Sequence, residues 1–115
     1  MALTEQIELL IQRLLALSKE DKVNWQETAI EQKFLAAVSK YVVTIEEATW
    51  NGLHYTLEVS DQTGKVLEAV TVTPDLKIDS RSFDELSELH TLARRRALKV
   101  DAALSDLLSD LAEIR

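Results

Sequence analysis

Between Leu3 and Leu17 the apolar residues recur in steps of three and four: Leu3, Ile7, Leu10, Leu14 and Leu17, with Ile11 and Leu15 widening the stripe. That spacing predicts a helix over roughly Thr4 to Leu17, buried on more than one side. Lys19 and Lys22 follow its end, where cations oppose the helix dipole. From Ser18 to Lys40 the pattern changes. Val23 and Trp25 alternate in "KVNWQ", which reads as a short extended piece. Thr28 and Glu31 then have the spacing of a capping box, and Ile30, Phe34, Ala37 and Val38 follow at helical intervals. The expectation is a short second helix over Ala29 to Val38.

From Tyr41 to Thr73 the period falls to two, predicting a three-stranded antiparallel meander. "YVVTI" puts Tyr41, Val43 and Ile45 on one face, and "LHYTLEV" does the same for Leu53, Tyr55, Leu57 and Val59. "DQTGK", Asp61 to Lys65, reads as a hairpin turn with Gly64 in the left-handed region. Its expected register pairs Val59 with Leu67 and Leu57 with Ala69. That leaves Val66, Val70 and Val72 on the opposite face, which then needs cover from the first helix or another chain. The first hairpin presents a conflict. A two-residue turn at Asn51-Gly52 pairs Ile45 with Glu58, turning the apolar faces of the two strands away from each other. Either a bulge lies between Glu46 and Trp50, the favoured expectation, or the loop is wider than two residues.

The last segment, from about Phe83 to Ile114, carries Phe83, Leu86, His90, Ala93, Ala97, Val100, Leu104, Leu107, Leu111 and Ile114 in unbroken steps of three and four, all apolar except His90. Ser82 and Glu85 suit a capping box at its start, and Asp84 suits the dipole. A continuous helix there is about 48 Å long, whereas a chain of this length makes a globule roughly 34 Å across. The helix therefore overhangs the sheet, and Leu104, Leu107, Leu111 and Ile114 call for a partner. A kink near Val100-Asp101 is the alternative.

Composition narrows the function classes. The chain has 115 residues, 46% hydrophobic and 29% charged, with a net charge of −7, which suits one folded domain over residues 1–115. An acidic surface argues against nucleic-acid binding. No apolar run reaches the roughly 18 residues of a spanning helix, and "MALTEQIELL" is acidic where a signal peptide is basic. A cytoplasmic protein without membrane association is expected. There is no cysteine, hence neither a disulfide framework nor thiol chemistry.

Candidate chemistry is sparse. His54 and Glu58 share a strand face, but strand positions four apart are separated by roughly 13 Å, too far to share a metal ion. "TGK", Thr63 to Lys65, belongs to a turn rather than a phosphate loop. His90 on the helical seam reads as a core or boundary histidine. Trp25 suits the edge of a core, whereas Trp50 beside a loop is a candidate contact residue. Arg94, Arg95 and Arg96 stand out in an acidic chain. None has an acid at i±3 or i±4 on its own helix. Arg94 and Arg96 flank the seam, from which they can reach Glu5, Glu8 or Glu20 on the first helix or a second chain.

The order of an amphipathic helix, a "K-V-x-W" segment (Lys22, Val23, Trp25), "Y-V-V-T-I", a "Y-T-L-x-V-x-D-x-x-G-K-V" hairpin (Tyr55 to Val66) and a long "L-x-x-L-H-x-L-A-R-R" helix resembles a loose group of small uncharacterised bacterial proteins. The resemblance implies no activity and no catalytic residue. The helix–meander–helix order with an acidic chain is also similar to bacterial secretion chaperones, which have five strands interrupted by a helix where three are expected here. Taken together, the sequence predicts an α+β domain that is not an enzyme and has no cofactor or metal. It is expected to be a protein-interaction domain that forms a homodimer, or meets an unidentified protein partner, through Leu104, Leu107, Leu111 and Ile114, with Arg94, Arg96 and Trp50 as further contact residues. Binding of a small ligand or anion by Arg94–Arg96 is the alternative.

Overall fold

The computed structural model describes residues 5–50, 52–74 and 80–114. Leu3, Thr4 and Asn51, each given a role by the sequence pattern, lie outside the described residues. The fold is α+β, with eight elements in chain order. They are α1 (Glu5–Lys19), β1 (Gln26–Glu27), β2 (Lys33–Val38), β3 (Tyr41–Ala48), β4 (His54–Asp61), β5 (Val66–Val72), α2 (Ser80–Ala97) and α3 (Val100–Ala112). The strands form one antiparallel sheet in the order β1-β2-β3-β4-β5. Each strand thus pairs with its neighbour in the chain.

The expected second helix is instead strand. Gln32 sits at φ 62, a left-handed conformation that a helix interior cannot contain. The Thr28 hydroxyl serves a turn rather than a helix cap, accepting from Ile30 N at 3.1 Å and donating to the Lys33 carbonyl at 2.9 Å. After that turn Phe34 and Ala36 alternate inward with Lys33 and Leu35 outward. The meander therefore has five strands where three were expected. No helix interrupts them, unlike the strand order of the secretion chaperones.

Strand parity decides the first hairpin of the predicted meander. Ile45 faces Leu57 and Val43 faces Val59, odd against odd, and the pairing runs without a bulge from Tyr41↔Asp61 to Ala48↔His54. The loop of residues 49–53 is wider than a two-residue turn, so the wider loop replaces the favoured bulge. The bulge lies in the next hairpin, between Val59 and Ser60, where Val59 meets Glu68 and Ser60 meets Val66, leaving Leu67 as the extra residue. Leu57 consequently pairs with Val70 rather than Ala69. The shift turns Val70 and Val72 to the helix side, with Val72 fully buried. Val70 and Val72 thus cease to argue for a covered outer face. That face holds Thr44, Glu46 and Ala69, a Lys33 Nζ–Glu58 ion pair of 3.5 Å and a Thr56–Thr71 hydrogen bond of 3.0 Å.

The core lies between the sheet and two helices. Phe34, Ala36, Val43, Ile45, Tyr55, Leu57 and Val72 from the sheet meet Leu86, Leu89 and Ala93 of α2. Ile11, Leu14 and Leu15 of α1 join the same core, and α1 packs along α2. Trp25 closes the end of this layer just before β1, only 2% exposed, and its Nε1 donates to Ser18 Oγ at 3.0 Å. Among the described residues, no helix is long and apolar enough to cross a membrane.

Candidate interaction surface

The long helix expected from Phe83 to Ile114 is broken. Lys99 adopts φ 53, ψ 46, ending α2 and starting α3. Leu98 N still donates to the Arg94 carbonyl at 2.9 Å, Lys99 N tightens onto Arg96 O at 3.3 Å, and Ala103 N begins the new ladder on Lys99 O at 3.0 Å. A left-handed residue other than glycine costs roughly 1–2 kcal/mol. The break falls one residue before the Val100-Asp101 kink considered as the alternative, and it does not fold the second half back onto the body. α3 contains no buried residue. Leu104, Leu107, Leu108, Leu111 and Ile114 are 46–70% exposed. The molecule measures 57 × 33 × 26 Å, with a radius of gyration of 15.8 Å, against about 13 Å expected for a compact chain of this size.

The exposed stripe of α3 is contiguous. At 3.6 residues per turn, Val100, Ala103, Leu104, Leu107, Leu108 and Leu111 fall on one side, while Asp101, Ser105, Asp106, Ser109, Asp110 and Glu113 fall around the other. Of the four residues predicted as contacts at this end, Leu104, Leu107 and Leu111 are thus brought together on α3 and Ile114 follows just past it, all left open to solvent. A contiguous apolar patch of several hundred Å² is the usual mark of an interaction surface.

The arginines diverge. Arg96 pairs with Asp21, just past α1, at 2.7 Å, so its partner lies beside the helix end rather than at Glu5, Glu8 or Glu20. Arg95, on the side away from the seam, pairs with Asp101 across the break. Asp101 is six residues on, outside helical neighbour spacing, and only the change of direction at Lys99 brings it close. Arg94 makes no ion pair among the described residues, and with Leu98 it lines a shallow cleft that reaches Phe34 and Ile30. A larger cleft, of about 810 Å³, opens where α2, α3 and the segment after α1 converge. Trp25, Leu92 and Ala97 supply apolar lining, and Arg95, Arg96 and Lys99 supply charge. Both members of the Arg96–Asp21 pair are substantially exposed. Arg96→Gln should therefore lower stability by only about 0–1 kcal/mol, a difference that shrinks at high salt in thermal melts.

Trp50 lies apart from these features, in the loop between β3 and β4. It is 73% exposed and meets His54 edge-on, with ring centroids 5.2 Å apart. His54 Nδ1 is 3.0 Å from the Gly52 carbonyl oxygen.

A buried polar cluster that the sequence pattern did not reveal lies under α2. The Tyr55 hydroxyl donates to Glu47 Oε2 at 2.8 Å and is hydrogen-bonded to Ser87 at 3.2 Å. His90, 3% exposed, is held between the rings of Phe34 and Tyr55. Its Nε2 donates to the Gln32 carbonyl at 2.9 Å, and its Nδ1 lies 3.8 Å from Glu47. These contacts tie α2 to β2, β3 and β4 and satisfy the polar atoms they bury. Burial pushes the Tyr55 phenol above its ordinary pKa; its bond to Ser87 acts the other way, and Glu47 adds to the rise. Asp61 shows the opposite shift. Its carboxylate accepts from the Thr63 hydroxyl, from Lys65 N and from Thr63 N, which holds it below the usual range and fixes the β4–β5 turn. Among the described residues no three histidines, cysteines or carboxylates gather as metal ligands. Compared with known proteins, the chain matches no family model, no curated protein and no solved structure.

Proposed function

We propose that the chain is a non-enzymatic protein-interaction domain that self-associates through α3. The observation that carries this reading is a helix with a complete apolar stripe and no buried residue. An isolated helix of 13 residues is marginal in water, because nucleation costs more than so few hydrogen bonds return. Its order and its leucines both call for a cover, and a second copy supplies an identical stripe. Light scattering at micromolar concentration should give twice the 13.0 kDa of one chain. Leu107→Asp with Leu111→Asp should return the mass to 13.0 kDa and leave the melting of the body nearly unchanged, since neither side chain is in its core. A wild-type mass of 13.0 kDa at these concentrations would overturn the reading.

A further inference from the structure

Charge along the α2–α3 unit is segregated. Arg94, Arg95, Arg96 and Lys99 form a basic block at the break. From Val100 to Arg115 there are four carboxylates, Asp101, Asp106, Asp110 and Glu113, and one basic residue, Arg115. Arg95 and Arg96 are occupied by Asp101 and Asp21. Arg94 and Lys99 at one end, and Asp106, Asp110 and Glu113 at the other, make no ion pair among the described residues. They stand apart within one copy, because from Lys99 the helix rises roughly 10 Å to Asp106 and roughly 16 Å to Asp110.

We propose that two copies pair through α3 in the antiparallel sense, so that the acidic end of each α3 lies against the basic block and the cleft beside α2 of the other. The proposal rests on the reading of α3 as a self-association surface and adds its orientation and its charge code. Setting Leu104 against the partner's Leu107 places Val100 by the partner's Leu111, since antiparallel positions along α3 share a constant sum. Asp110 then lies by the partner's Asp101, which Arg95 already pairs, and Glu113 extends past it toward the partner's Lys99. Ala97, Lys99, Asp101 and Ala102 border the 810 Å³ cleft. An amphipathic end with leucine, isoleucine and two carboxylates thus arrives at a cleft lined by Trp25, Leu92 and Ala97, whose cations Lys19, Arg95, Arg96 and Lys99 outnumber the carboxylates Asp21, Glu27 and Asp101. The parallel arrangement sets Asp110 and Glu113 against their own copies, and Lys99 against its own, and like charges facing each other are unfavourable. Area argues the same way. A helix of 13 residues spans about 20 Å, short for the roughly 1,000 Å² of a specific interface. The antiparallel arrangement extends contact onto α2, which the parallel one does not.

The test uses the full chain with two charge-reversed variants, each confirmed as folded by its melting transition. One carries Asp110→Lys and Glu113→Lys; the other carries Arg94→Glu and Lys99→Glu. Each alone should dimerise on the order of 10-fold or more weakly than wild type, because both ends of its dimer become repulsive. Mixed together they should form a heterodimer near wild-type affinity, since both ends are again complementary. Salt gives a second readout on wild type alone. The antiparallel dimer weakens as salt rises, whereas a parallel dimer tightens as repulsion is screened. Tightening with salt, or a mixture of the Asp110→Lys/Glu113→Lys variant with wild type that binds more tightly than wild type alone, would overturn the orientation while leaving self-association intact. Failure of the two variants to restore each other would overturn the charge code. A monomeric wild type would overturn the underlying reading as well.

Discussion

Trp25→Ala should lower the free energy of unfolding by about 3–5 kcal/mol, the usual cost of emptying a buried tryptophan site. Total stabilities of single domains are only about 5–15 kcal/mol, so the loss removes a large share of what holds the fold. Trp25 is 2% exposed and plugs the end of the core where α1 gives way to β1. Truncation also leaves the Ser18 hydroxyl without the indole that now bonds to it at 3.0 Å. Trp50→Ala is the matched control. It removes the same side chain from a site 73% exposed, where substitutions usually stay within about 0.5 kcal/mol. Urea denaturation of the two variants measures both values. Comparable losses would show that the loop tryptophan packs against something other than solvent and His54.

Tyr55→Phe should cost about 1–3 kcal/mol, because it removes hydrogen bonds to two partly buried partners, one of them a carboxylate, while keeping the ring. The phenol touches Glu47 at 2.8 Å and Ser87 at 3.2 Å, joining β3 to α2. The pH dependence has a defined sign. The folded-state pKa of Tyr55 is raised by burial, so the folded protein holds this proton more tightly than the unfolded chain. Its contribution is present in full below the ordinary tyrosine value of about 10 and is lost as pH rises through the higher folded value. The wild type should therefore lose stability in the alkaline range, and the phenylalanine variant should lose less. Denaturation at neutral and alkaline pH compares the two slopes, and equal slopes would assign the alkaline loss to other groups.

What the sequence revealed depended on whether one periodicity acted alone. Ile7, Ile11 and Leu14 satisfy only a helix, and Tyr55 and Leu57 only a strand, so α1 and β4 could be read directly. Phe34, Ala37 and Val38 also satisfy helical spacing, while Phe34 and Ala36 satisfy a strand. The deciding feature was the left-handed Gln32, which composition does not advertise because glutamine rarely adopts that conformation. The break at Lys99 was hidden for the same reason. No glycine or proline marks it, and the apolar steps continue across it unbroken. Parity fared better. The demand that Ile45 and Leu57 share a face excluded the two-residue turn, although it did not distinguish a bulge from a wider loop. The cluster of Tyr55, Glu47, Ser87 and His90 left no trace in the sequence. Its members are separated by strand and helix boundaries, and only the sheet register places Glu47 opposite Tyr55.

The chain-order sheet bears on how this molecule reaches its native state. Because every strand neighbours its predecessor, the sheet can assemble as a succession of short hairpins, each closing a small loop at low entropic cost. The tie between the ends is different: Arg96 and Asp21 are 75 residues apart in the chain. The meeting of α2 with α1 and with the first strands is therefore a distant closure, as the His90–Gln32 bond across 58 residues also shows, and it gains most once the sheet offers both helices a surface. The largest loop-closure cost of folding thus falls on docking α2, where Leu14 and Leu89 become buried in the shared core.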